Sequence, residues 1–155
     1  MRAFTLIELI FVILIIGVLG AVAVPRFVGM RDNAKITSEL STAASVQTAL
    51  DACHGEWIVN EGSFVCGADI DPADGDEFNA SSGYPIVLGS SDTSPLDKIL
   101  KNGRTLRWIR TSDGHYKGPA SNGGVHRQIK GKPDADDYWV YDDVSGTFTL
   151  IEKGE

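Results

Sequence analysis

The sequence predicts an α+β protein: a long N-terminal helix, membrane-spanning in its first half and amphipathic in its second, packed on a small antiparallel β-sheet. Three observations carry this. Residues 4–24, FTLIELIFVILIIGVLGAVAV, form an apolar run with one charge, Glu8. Apolar residues then recur every three or four positions at Ile36, Leu40, Ala43, Val46, Leu50 and Cys53, the period of a one-sided helix. Two β-prone runs near the C-terminus, 138–141 and 147–151, flank the turn-forming segment DDVSG, the pattern of a hairpin.

The apolar run comes first. As a helix, its 21 residues would extend roughly 31 Å at about 1.5 Å per residue, close to the ~30 Å hydrocarbon core of a bilayer. Arg2 precedes it and Arg26 follows it. The short basic leader suits an N-terminus left in the cytoplasm and a C-terminal domain exported across the membrane. Glu8 is anomalous, because a carboxylate deep in a spanning helix costs about 2.5–3.5 kcal/mol and is seldom found without a partner. No basic side chain of the same helix reaches it, so the partner is expected from another chain or from a newly made N-terminal amine.

The order MRA-FTLIEL, an apolar run, Gly17 and then Pro25 resembles the processing signal and N-terminal helix of type IV pilins and type II secretion pseudopilins. The resemblance covers residues 2–27. It implies cleavage by a prepilin peptidase between Ala3 and Phe4 and methylation of the new Phe4 amine. It also implies that Glu8 neutralises the amine of a neighbouring subunit, with Gly17 and Pro25 at the positions where this helix is loosened. The residue before the cut is Ala3, where the family usually has Gly. The fold implied is pilin-like. The implied partners are further copies of the same chain, the prepilin peptidase, an inner-membrane assembly platform, minor pilins or pseudopilins, and the lipid bilayer. The implied location is the bacterial inner membrane, single-pass with the head in the periplasm, and then a filament.

Two other readings compete for the segment. Ala21-Val22-Ala23 spells a secretory cleavage site, but Glu8 and the length of the run oppose it. A plain single-span anchor leaves Glu8 unexplained. The chain then divides into a leader (1–3), a transmembrane and assembly helix (4–25), an amphipathic helix (26–53) and a head (54–155). Proline inside a helix removes a donor and kinks it, so a kink is expected at Pro25. Gly55 is placed as the helix C-cap.

Within the head, residues 57–65 are read as including a short strand, 69–83 as a polar loop and 84–88 as a short apolar run. Ser94-Pro95-Leu96-Asp97 reads as a helix start, with Gly103 as its stop. Residues 105–111 read as a strand and 115–133 as a basic, Gly-rich loop. Cys53 and Cys66 form a disulfide if the head is exported, and are two buried thiols otherwise. Zinc needs more ligands than Cys53, His54 and Cys66 supply.

The net charge of −7 argues against a protein whose whole surface binds nucleic acid. The charge is segregated. Residues 51–97 carry ten acidic and no basic side chains, and 98–132 carry nine basic against Asp113. These blocks neutralise each other within the head or complement each other between stacked subunits; a basic patch for DNA is a third reading, which no aromatic interleaving or nucleic-acid motif supports. Asp69, Asp71, Asp74, Asp76 and Glu77 crowd nine residues and form either a calcium-binding loop or a solvated acidic one, without the EF-hand order. A second cluster is Asp134, Asp136, Asp137, Asp142 and Asp143. The resemblance to secretion pseudopilins implies calcium at C-terminal loops, but no calcium motif transfers, and no other cofactor is indicated.

No G-x-S-x-G, H-E-x-x-H or P-loop occurs, and His54, His115 and His126 are scattered. The sequence therefore reads as a structural filament subunit of a pilus, secretion or DNA-uptake machine and not as an enzyme. The alternative is a membrane-anchored exported binding module, an adhesin or DNA receptor that does not build the filament, supported by the basic block 98–132.

Overall fold

A computed structural model describes residues 5–60, 64–71 and 77–154, with the backbone alone for 24–28. Helix α1 is Leu6–Asn60. Two short strands, β1 (Phe78–Asn79) and β2 (Tyr84–Pro85), pair antiparallel. A four-stranded antiparallel sheet follows in the order β3-β4-β5-β6: β3 Ile109–Arg110, β4 Tyr116–Lys117, β5 Tyr138–Asp142 and β6 Thr147–Ile151. Contacts divide the chain into two units, Met1–Ala34 and Lys35–Glu155. The first unit is helical from Leu6 onward. The second is the α+β head.

In the head the 3–4 spacing works as read. Val46 and Leu50 are fully buried, and Ile36, Ala43 and Cys53 nearly so. This stripe packs on alternate residues of the sheet, Trp139 on β5 and Phe148 on β6, together with Trp108 and Tyr116. The Trp139 and Phe148 rings stack with centroids 5.3 Å apart, and Tyr116 meets Phe148 edge-on at 5.4 Å. Ile36 joins Ala120 and Val125 in a smaller cluster.

The C-terminal hairpin forms in register, Tyr138 opposite Ile151 through Asp142 opposite Thr147. Its turn is closed by the Asp142 carboxylate, which accepts from the Val144 amide and the Ser145 hydroxyl. Gly146 sits at φ 67° and lies so close to Tyr84 that a Cβ would come within 2.1 Å of the ring.

Elsewhere the local reading fails for identifiable reasons. The helix passes Gly55 and ends at Asn60. Gly55 is not among the positive-φ glycines, and the following turn is held by Asn60 donating to Glu56 at 2.6 Å. Residues 57–60, within the stretch read as including a short strand, are therefore helical. The Ser94 helix does not form. The amides of Lys98 and Ile99 donate to the Leu88 carbonyl instead of back along their own segment, and Asp97 is engaged by Ser90 and Arg104. Only a 3-10 turn, Gly103–Thr105, appears. The expected strand over 105–111 shrinks to two residues. The supposed loop 115–133 contributes β4, and the acidic loop contributes β1.

The disulfide joins Cys53 on α1 to Cys66, Cα atoms 5.2 Å apart, and both residues are buried. Replacing both cysteines with serine should lower head stability by roughly 3 kcal/mol on the loop-entropy account. Urea unfolding of the detergent-solubilised chain, followed by tryptophan fluorescence, checks this.

Candidate functional site

The first unit offers a surface without internal partners. Every side chain from Leu6 to Leu19 is exposed, Phe11 and Ile16 among them, and Leu6–Ala23 is long and apolar enough to cross a membrane. Glu8 lies in the first turn, where a carboxylate complements the partial positive charge of the helix N-terminus. A Cβ at Gly17 would meet nothing within 4 Å, so no packing inside the chain requires glycine there. Ala3 and Phe4 lie outside the described residues. Pro25 is described only as helical backbone, so the expected kink is not among the features that can be placed.

The head is organised around a charged residue that is not part of the apolar stripe of the helix. Glu39 is completely buried. Its Oε2 accepts from the amides of Ala120 at 2.7 Å and Ser121 at 3.0 Å. Its Oε1 accepts from the Ser121 hydroxyl at 2.7 Å and the Trp139 indole at 2.8 Å. Four donors thus replace the water that the carboxylate loses on burial, the condition for burying such a group. Gly118 makes the approach feasible, since a Cβ there would lie 2.6 Å from Glu39 Cδ. The sequence carries one faint signal: a Glu one position before Leu40, between Ile36 and Ala43, borders the apolar stripe.

Gln47 makes a second clasp. Its amide nitrogen donates to the Gly146 carbonyl and its oxygen accepts from the Phe148 amide, both at 3.0 Å. A third contact lies at His54, stacked on Tyr84 with centroids 4.4 Å apart and with Nδ1 3.1 Å from the Gly83 carbonyl.

The acidic and basic blocks meet within the head. Among the described residues, Glu77 pairs with Lys98 and Asp97 with Arg104. Burial by itself raises the Asp97 pKa, but hydrogen bonds from the Ser90 hydroxyl and amide and the Arg104 guanidinium outweigh it and hold the carboxyl below its ordinary value. Burial pushes the Tyr141 phenol upward, and its hydroxyl donates to the Pro85 carbonyl.

Of the calcium candidates, Asp74 and Asp76 lie outside the described residues, Asp69 is exposed and Glu77 is engaged by Lys98. Among the described residues no three His, Cys, Asp or Glu side chains gather as a metal site. Asp134 and Asp137 are buried, accepting backbone amides of Asp136, Asp134 and Lys153.

An unpartnered apolar helix that becomes one-sided where it enters a disulfide-bonded α+β head defines a pilin-like protein. No family model and no solved structure matches the chain. Curated proteins do. The chain is 54% identical over 48 residues to the type IV narrow pilus major component PilA5 of Thermus thermophilus, covering 31% of this chain and 41% of that protein. It is 28% identical over 119 residues to a fimbrial protein of Neisseria meningitidis, 75% of this chain and 70% of the relative. It is 24% identical over 134 residues to the type IV major fimbrial protein FimA of Dichelobacter nodosus, 74% and 85% of the two chains. Over these stretches the chain is similar to type IV pilins, and it is a structural protein, not an enzyme.

Glu39→Gln should destabilise the head by roughly 2–4 kcal/mol, because an amide NH₂ then faces donors; chemical denaturation with the Trp139 environment as reporter measures it. Asp97 generates a pH prediction. Its folded pKa is depressed, so its stabilisation is complete above the unfolded value and is lost as pH falls through the folded one. The stability difference between the native chain and Asp97→Asn should therefore be full at neutral pH and shrink below about pH 4. Paired urea titrations at successive pH values check the trend.

Proposed function

We propose that the chain is a structural subunit of a type IV pilus, held in the inner membrane by its apolar segment until it is polymerised. The observation that carries this reading is the outward-facing apolar helix with a carboxylate in its first turn. Such a segment is stable only in lipid or against other helices. In lipid it anchors the chain with the head in the periplasm. In the filament it supplies the axial core, buried against further copies. The relatives named as pilus or fimbrial components favour a pilus over a secretion or DNA-uptake pseudopilus.

The steps follow from the chemistry of the N-terminus. Prepilin peptidase cleaves between Ala3 and Phe4 and methylates the new amine. That amine is cationic, and Glu8 of a neighbour is an anion in a medium where neither charge is solvated. Pairing them removes a cost of about 2.5–3.5 kcal/mol for the carboxylate alone and sets the axial stagger of adjacent subunits. An inner-membrane platform delivers subunits, and minor pilins start the filament.

Replacing Glu8 with leucine should leave the membrane-fraction level of the chain unchanged while abolishing surface filaments, as judged by immunoblotting of fractions and electron microscopy of cells. Filaments of normal number on the Glu8→Leu strain would remove Glu8 from the assembly mechanism.

A further inference from the structure

We propose that Asn122 is a site of spontaneous deamidation, in which the Gly123 amide closes on the Asn122 carboxamide and the Lys35 ammonium promotes the step. The site is independent of the apolar helix and of the filament reading.

An asparagine followed by glycine is the pair best suited to this reaction. Glycine has no Cβ, so its amide nitrogen is unhindered and its backbone reaches conformations closed to other residues. Nucleophile and carbonyl are neighbours in the chain, which supplies the proximity that an intramolecular attack needs. The sequence holds two such pairs, Asn102-Gly103 and Asn122-Gly123.

The fold separates them. Both asparagines are exposed, but Gly103 is buried and Gly123 is exposed. Both glycine amides close a turn, Gly103 donating to the Leu100 carbonyl at 2.9 Å and Gly123 to the Ala120 carbonyl at 3.1 Å. That contact therefore does not distinguish the pairs. Gly103 is enclosed by backbone, since a Cβ there would meet the Leu96 carbonyl oxygen at 2.2 Å. Gly123 is followed by Gly124, where a Cβ would meet nothing within 4 Å, so the chain has room to shift. The turn also retains its labile pair. A Cβ at residue 123 would come within 2.0 Å of the Pro119 carbonyl oxygen, so glycine is required there.

Lys35 is the second difference. Its Nζ donates to the Gly123 carbonyl at 2.7 Å and would stand 3.0 Å from a Cβ at Gly123. The ammonium thus lies within a few ångströms of the Gly123 amide nitrogen, which is bonded to the same Cα. That nitrogen must lose its proton to attack, and the intermediate at Asn122 Cγ carries negative charge on oxygen. A fixed cation favours both anions.

The step balances with water alone. The Gly123 nitrogen bonds to Asn122 Cγ, the Cγ–Nδ2 bond breaks, and ammonia leaves with the proton that the amide gave up. Water then opens the succinimide to aspartate or isoaspartate. Isoaspartate lengthens the main chain beside Ser121, whose amide and hydroxyl hold Glu39. The modification falls on the loop that clasps the buried carboxylate.

Peptide mapping by mass spectrometry tests this, on the full chain incubated in detergent micelles at mildly alkaline pH. In the folded chain, conversion of amide to acid at Asn122 should outpace that at Asn102 severalfold. In the urea-unfolded chain the difference should disappear. Lys35→Gln should slow Asn122 by about fivefold, the effect of one water-screened charge nearby, and Lys35→Arg should keep the rate. Equal or faster conversion at Asn102 in the folded chain would overturn the assignment, as would the same preference for Asn122 after unfolding. An unchanged rate in Lys35→Gln would remove Lys35 from it; the folded-against-unfolded comparison needs no variant and stands even where a substitution disturbs the fold.

Discussion

The head depends on one carboxylate placed inside it. Glu39 leaves the helix on the same side as the apolar stripe and is completely buried. Such a group is tolerable only if donors are delivered to both oxygens, and they come from far along the chain: Ala120, Ser121 and Trp139. The carboxylate therefore fixes three things at once. It sets the rotation of the helix in the head, the path of the chain around 118–121, and the position of β5 through the Trp139 indole. Gly118 is part of the same constraint because a side chain there would occupy the space of the Glu39 carboxylate.

Further contacts repeat the logic along the helix. Gln47 binds the start of β6 through both ends of its amide, in effect adding one strand-like residue at the sheet edge. Cys53 is covalently joined to Cys66. His54 stacks on Tyr84, whose ring in turn covers Gly146 in the hairpin turn. Apolar packing by Val46 and Leu50 is non-directional, so it drives the helix onto the sheet without fixing register. The directional contacts at Glu39, Gln47 and Cys53 do that.

The elements governed by local pattern could be read without the structure. The helix stripe, the hairpin with its Asp142–Gly146 turn and the apolar N-terminal run all express periodicity or turn chemistry within a few residues. What escaped was governed by distant partners. Glu39 looks like a polar-face residue until Ser121 and Trp139 are placed beside it. The segment after Ser94 has a sound helix start, but its amides are captured by Leu88. Strand β4 is two residues long and pairs with Trp139 across the whole 118–137 segment, a signal too short for any period. The residues for which processing and assembly roles are proposed are a different case: Ala3, Phe4, Glu8, Gly17 and Pro25 stand in the sequence as an ordered motif. The roles proposed for them concern other molecules and not the packing of this chain.

These two halves of the molecule are stabilised in opposite ways. The head buries an apolar core internally and pairs its buried polar side chains, Trp108 Nε1 excepted among the described residues. The first unit leaves a continuous apolar surface bare, with one carboxylate at its start, and is complete only in lipid or in a polymer. The most direct test is the intact mass and N-terminal sequence of this chain recovered from filaments sheared off the cell surface. The account predicts a chain beginning at Phe4 with a methylated amine. A chain absent from the filaments, or present in culture medium as a monomer starting after Ala23, would contradict it.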